Sequence, residues 1–230
     1  MELLASINWT PFLLSLKLAS VTTVVLLLLA TPIAYLLAFG RFRGRTIVEA
    51  ILALPIVLPP TVLGFFILVA IGNLSPIGQL YNDLFGRPLA FTFLSLVIAS
   101  VLYSFPFAVQ PIQNAFRSVN PRFVEASRTL GCTRWQSFWR VLIPSSRAGL
   151  ITGAMLSFAH TVGEFGVVLM VGGSIPGETK VASIAIYEEV EKLNYVEASV
   201  MAFVLLIFSF VILSGVYYFN RKSSRTVFGW

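Results

Sequence analysis

Charge is scarce in this sequence: its 230 residues include 16 Lys and Arg and 10 Asp and Glu, 11% of the chain, where a soluble domain carries about 25%. A soluble globular fold does not fit. There is one cysteine, Cys132, and one histidine, His160, so neither an intrachain disulfide nor a Cys/His metal cluster is available. Also absent are a G-x-x-x-x-G-K-[ST] phosphate loop, an H-E-x-x-H pair and a G-x-S-x-G elbow. The usual enzyme chemistries are therefore not expected, and any energy source must be a partner or an ion gradient. No repeat, low-complexity tract or Ser/Gly linker divides the chain, so residues 1–230 read as one membrane domain.

Residues 18–40, 50–82, 88–116, 148–163 and 198–220 contain no Asp, Glu, Lys or Arg. A membrane-spanning helix needs about 20 apolar residues. The fourth run is short, but beyond Glu164 it continues uncharged to Gly177. The expectation is an all-α membrane protein with five spans at about 12–40, 47–72, 89–116, 148–172 and 198–220, with Glu164 as an intramembrane acid. The stretch between spans three and four, 117–147, is the longest outside them and too short to fold alone. The first span reads as retained, because no basic residue precedes Lys17 and no small-x-small cleavage site follows.

Basic residues set the orientation. Arg41, Arg43, Arg45, Arg117, Arg122, Arg128, Arg134, Arg140, Arg147, Arg221, Lys222 and Arg225 fall on one side, against Lys17, Arg87, Lys180 and Lys192 on the other. The N-terminus is expected outside and the C-terminus in the cytoplasm, with 221–230 as a stop-transfer flank. The net charge of +6 thus reports membrane orientation, and no nucleic acid partner is expected.

Within 117–147, Asn120-Pro121 reads as a helix cap with Pro at the first turn, and Gly131 as a left-handed stop. Thr133 can cap a second helix on which Trp135, Phe138, Trp139 and Leu142 make one apolar stripe, up to Pro144. Periodicity alone leaves two readings of this elbow open: an amphipathic helix in the lipid headgroups, or a docking element for a cytoplasmic partner.

Glu125-Ala126-Ser127, three residues, Gly131, nine residues, then Val141-Leu142-Ile143-Pro144 resembles the EAA loop of bacterial ABC-importer permeases (E-A-A, three residues, G, nine residues, I-x-L-P). The departures are Ser127, Val141 and Ile143. The resemblance implies a MetI-like permease core whose elbow, through Glu125, Ala126, Ser127, Gly131, Trp135, Phe138, Trp139 and Pro144, docks into a separate ATPase subunit.

Finer likeness lies in residues 54–64, Arg128-Thr129-Leu130-Gly131, Phe158-Ala159 with Gly163-Glu164-Phe165-Gly166, and Ile175-Pro176-Gly177-Glu178-Thr179 with Tyr187. These resemble the molybdate permease (ModB) family over about residues 12–219. The resemblance implies import of a tetrahedral oxyanion, molybdate first, with tungstate, sulfate and thiosulfate as alternatives. It also implies a homodimer with the path between copies, two cytoplasmic ATPases carrying ATP and Mg, and an external or lipid-anchored oxyanion-binding protein that meets segment 173–197. This chain itself would bind no cofactor or metal and lie in the bacterial inner membrane. Many members carry Arg where this chain has His160, so the resemblance carries over no fixed cation at this position.

Ionisable groups within a bilayer are functional candidates. Lys17 can snorkel to the interface. Glu164 follows His160 by four residues, so a same-face pair is available; a carboxylate would repel an oxyanion, which favours a structural or gating role. Pro55, Pro59 and Pro60 break span two, through a packing kink or to line a cavity. Thr61, Ser104, Ser157 and Thr161 are candidate path hydroxyls beside His160 and Glu164, although such hydroxyls often bond back to their own helix. Gly149, Gly153, Gly163 and Gly166 suit close helix packing. The rival reading is a proton-coupled secondary transporter using Glu164 and His160; an odd span count and no inverted repeat oppose it.

Overall fold

The computed structural model describes residues 8–227, so the ends of the 1–230 domain, including Trp230, lie outside the described residues. Among them there are helices and loops and no strand. Helix α1, Thr10–Phe39, is 30 residues long, tolerates Pro11 in its first turn where no intrahelical donor is needed, and ends at Gly40, whose N–H bonds Leu36 O at 2.8 Å. Helix α5, Phe93–Ser118, starts at a reciprocal Thr92/Ser95 capping box. Helix α8, Arg147–Val162, completes a three-helix core with α1 and α5. Leu18, Leu26 and Ala34 meet Leu96, Ala108 and Phe116 in one buried cluster. Small residues set the closest approach: a Cβ on Gly149 would lie 2.1 Å from Ala115 Cβ, and one on Gly153 would lie 3.0 Å from Ala108 O.

Three helices are long and apolar enough to cross a membrane, α1, α5 and the last helix, α11 (Tyr195–Val227); the number rises to five if each bent pair is one span. The stretch expected as a continuous second span is two helices, α2 (Arg45–Val57) and α3 (Pro60–Ile71), bent by 113°. The physical reason is local: Pro60 supplies no N–H and pushes Pro59 to extended geometry (φ −55, ψ 135), so the ladder stops there. The expected fourth span is likewise divided. Helix α8 stops at Val162, and α9, Gly166–Gly172, restarts after the 163–165 break.

Short helices complete the chain. α4, Pro76–Phe85, and α10, Ala182–Glu191, flank the side read as external. The elbow is α6, Pro121–Thr129, and α7, Arg134–Ser145, with α7 bent 71° from α8.

Candidate functional site

The two breaks in the apolar helices abut. A Cβ on Gly166, the first residue of α9, would lie 2.9 Å from Pro60 Cβ and 3.5 Å from Thr61 Cγ2; one on Gly64 would lie 2.8 Å from Met170 Cβ. Glycine therefore lets α9 and α3 touch where both helices are interrupted, and interrupted helices tend to mark substrate sites in membrane transporters. Thr61 stands exposed at this junction.

Facing turns of α5 and α8 form a polar cluster within the core. Ser104 Oγ lies 2.8 Å from His160 Nδ1 and 3.2 Å from Thr161 Oγ1. Phe107 stacks on the imidazole with ring centroids 4.1 Å apart, and Tyr103 flanks it at 4.8 Å. Thus three of the six candidate path residues come together. Ser157 does not join them: its hydroxyl donates to Gly153 O of its own helix at 2.7 Å. The sequence reading missed Tyr103 and Phe107; their one signal is spacing, since they fall one before and three after Ser104 on the same helix.

The expected His160–Glu164 pair is not formed, because α8 ends at Val162 and the i,i+4 relation does not survive the break. His160 turns to Ser104. Glu164 is 4% exposed, and neither carboxylate oxygen has a hydrogen-bond partner. Its carbonyl accepts a 2.5 Å bond from the Ser183 hydroxyl of α10, which ties the break to the outer segment. Lys17 extends over the Phe93 ring, 4.6 Å from its centroid.

In the elbow, Asn120 Oδ1 accepts from Arg122 N at 3.0 Å and caps α6. Gly131 holds φ +89, and Cys132 N–H bonds back to Ser127 O at 3.0 Å, closing the helix as a Schellman turn. Thr133 and Gln136 form the second capping box. Ser127 is buried and donates to Val124 O, leaving its hydroxyl to accept from Ser137 at 2.7 Å; this bond joins the two arms of the elbow. Glu125 and Ala126 are exposed on α6, as is Leu130 at its end. The expected single stripe is split. Residues Phe138–Leu142 form a π turn, which widens the helix and rotates later side chains. Leu142 is buried and Phe138 half-buried against Tyr35 and Phe116, whereas Trp135 and Trp139 are exposed; Pro144 lies within the final turn.

A clasp beside the elbow was not anticipated from sequence. Glu49 Oε1 accepts from Arg117 at 2.9 Å, Gln113 at 2.8 Å and Arg45 at 3.3 Å, joining α2 to α5. At the outer face, Glu188 meets Lys180 and the Ser174 hydroxyl. Burial pulls its carboxyl upward, but these partners outweigh burial and leave it below the ordinary carboxylate value. No group of three or more metal-ligating side chains occurs among the described residues.

Residues 30–225 match the family "Binding-protein-dependent transport system inner membrane component". The chain is 50% identical over 208 residues to the molybdenum transport system permease protein ModB of Azotobacter vinelandii, covering 90% of this chain and 92% of that protein. It is 33% identical over 199 residues to the sulfate transport system permease protein CysT of Escherichia coli K12, covering 85% and 70%. The inward-facing MetNI methionine ABC transporter is similar in fold, with a TM-score of 0.69 at 18% identity over 92% of this chain and 94% of that one. Family match, relatives and fold agree, and the chain belongs to the inner-membrane permease components of binding-protein-dependent ABC importers.

Proposed function

We propose that this chain is the permease of an ATP-driven importer of molybdate. The observation carrying the substrate is the 50% identity to a molybdenum permease across nine-tenths of both chains, against 33% to a sulfate permease matched over 70% of its length. The fold supports the importer class but is silent on the anion. In this reading the chain is a single membrane domain that works as a homodimer, with two ATPases on the cytoplasmic side and an oxyanion-binding protein outside. ATP and Mg act on the ATPases.

Closure of the ATPases moves the elbow. α6 presents Glu125 and Leu130 to the partner, and the Ser127–Ser137 bond makes the two arms move together. The 71° corner between α7 and α8 passes that motion to the Ser104–His160–Thr161 cluster and to the Gly166–Pro60 junction. Hydroxyls and an imidazole offer an oxyanion hydrogen bonds without the strong hold of a fixed cation, which suits passage over storage. Glu164, buried at the break and bonded through its carbonyl to Ser183, serves the junction structurally, since a carboxylate facing the path would oppose an anion.

The test is uptake of radiolabelled molybdate by cells lacking their own molybdate importer and supplied with this permease, its ATPase and its binding protein. Uptake blocked by excess tungstate but not by excess sulfate is expected. Competition by sulfate at equal excess would reassign the substrate. Uptake lost on collapsing the proton gradient at constant ATP would favour the secondary transporter.

A further inference from the structure

We propose that the groove between α1 and the elbow binds one anionic phospholipid of the cytoplasmic leaflet, its phosphate on Arg128 and Arg134 and an acyl chain along α1. The groove has a volume of about 770 Å³, and its walls are mostly apolar: Leu27, Leu28 and Leu36 from α1, with Phe138, Ile143 and Leu150 opposite. A smaller cavity of about 140 Å³ adjoins it, lined by Arg128, Arg134 and Ser137, and shares Tyr35, Arg134 and Phe138 with the groove. One end is thus basic and the other greasy, as in an amphiphile's mould. Arg128 and Arg134 take part in none of the ion pairs among the described residues. Trp135 and Trp139 stand exposed at the rim, where interfacial tryptophans belong.

Depth and charge select the occupant. Leu27 lies twelve residues before Phe39, the cytoplasmic end of α1, so the groove runs roughly 18 Å into the apolar layer, about the depth of one leaflet. A soluble ATPase that meets the elbow at Trp135 and Trp139 does not reach the depth of Leu27 and Leu28. A second copy of this chain would offer Arg128 and Arg134 few anions, since its loops on that side carry twelve bases and two acids, and one of those acids, Glu49, is already held by Arg117, Gln113 and Arg45. A phospholipid supplies the missing negative charge and the apolar chain together, and basic pockets on the cytoplasmic side of membrane proteins suit such headgroups. The inference rests on the elbow being cytoplasmic and is independent of the transported anion.

The test uses the whole importer, permease with ATPase, in phosphatidylcholine nanodiscs, with Trp9 and Trp230 of the permease replaced by Phe. Phosphatidylglycerol or phosphatidylcholine with brominated chains is titrated in, and quenching of the Trp135 and Trp139 emission is read. Brominated phosphatidylglycerol is expected to quench at the lower mole fraction, by roughly fivefold per arginine engaged, and the difference should vanish in the R128Q/R134Q double variant. Equal quenching by both lipids overturns the proposal, and this wild-type comparison decides even if the double variant fails to assemble. Absence of quenching, meaning a protein covers the groove, also overturns it. So does a preference that persists in R128Q/R134Q, which would be diffuse attraction to the basic face.

Discussion

Arg117 and Glu49 stand 68 residues apart and meet at 2.9 Å, fastening α2 to the cytoplasmic end of α5 just before the elbow begins. Arg45 and Gln113 share the same carboxylate oxygen, so one acid holds three donors.

Both ends of this pair are more than a third exposed, so its worth is screened and small. R117A is expected to cost less than about 1 kcal/mol in thermal unfolding of the detergent-solubilised complex. Charge reversal by E49R should cost more, and adding R117E should recover most of that loss. A double variant no better than E49R would show that the pair does not matter.

Two glycines at opposite ends of α8 should respond differently. Gly149→Ala puts a methyl 2.1 Å from Ala115 Cβ and 2.8 Å from Pro111 O, and overpacking of that kind costs about 1–3 kcal/mol. Gly163→Ala meets nothing nearer than 3.8 Å and should be nearly silent. Adding Ala115→Gly should partly rescue G149A, as read by melting temperature and yield of folded permease.

In the elbow, Gly131→Val places a branched residue at φ +89, with nothing within 4 Å of the new Cβ. The cost is backbone strain, about 1–2 kcal/mol or more, and not a clash. G131N should be milder. Glu125→Lys changes an exposed charge and should leave the melting temperature alone while abolishing co-purification with the ATPase. Normal uptake by both E125K and G131V would sink the docking role.

Glu164→Gln replaces a buried carboxyl, whose oxygens have no hydrogen-bond partner, with an amide that cannot ionise. Transport rate should change while ATP dependence stays. Uptake by wild type and variant should both persist when the proton gradient is dissipated at constant ATP; selective loss in the wild type would give Glu164 a proton-coupling role.

At the outer face, the Glu188 carboxyl is held below its ordinary value of 4.5. A depressed carboxylate contributes stability that is complete above its unfolded value and is lost as pH falls through the folded one. Wild type should therefore outmelt E188Q at neutral pH, and the gap should close as pH drops below about 4.5. A gap that is constant with pH would show that the Lys180 and Ser174 contacts do not set it.

Much of the elbow at 117–147 was legible because its rules are local. Asn120-Pro121, Gly131 and Thr133 each act within four residues, and the structure puts a cap, a left-handed stop and a capping box at those positions. The stripe of Trp135, Phe138, Trp139 and Leu142 was misread at the one place where the period departs from 3.6, the π turn at Phe138–Leu142. The Glu164–His160 pair failed for a similar reason: spacing of four means contact only while the helix continues, and it stops at Val162. Ser104 with His160 was unreachable from either residue's neighbours, since 56 positions separate them.

The sequence by itself determined that the protein lives in a membrane, that one set of loops holds most of the bases, and where the helices of the elbow start and stop, because hydrophobicity, loop charge and helix caps are summed over adjacent residues. Tertiary structure decided what the polar residues inside do. Whether Ser104 meets His160, whether Glu164 finds a partner, and whether Gly166 touches Pro60 depend on how distant helices lie against one another. Close packing at small residues sets that arrangement, and it brings together groups that no local rule connects.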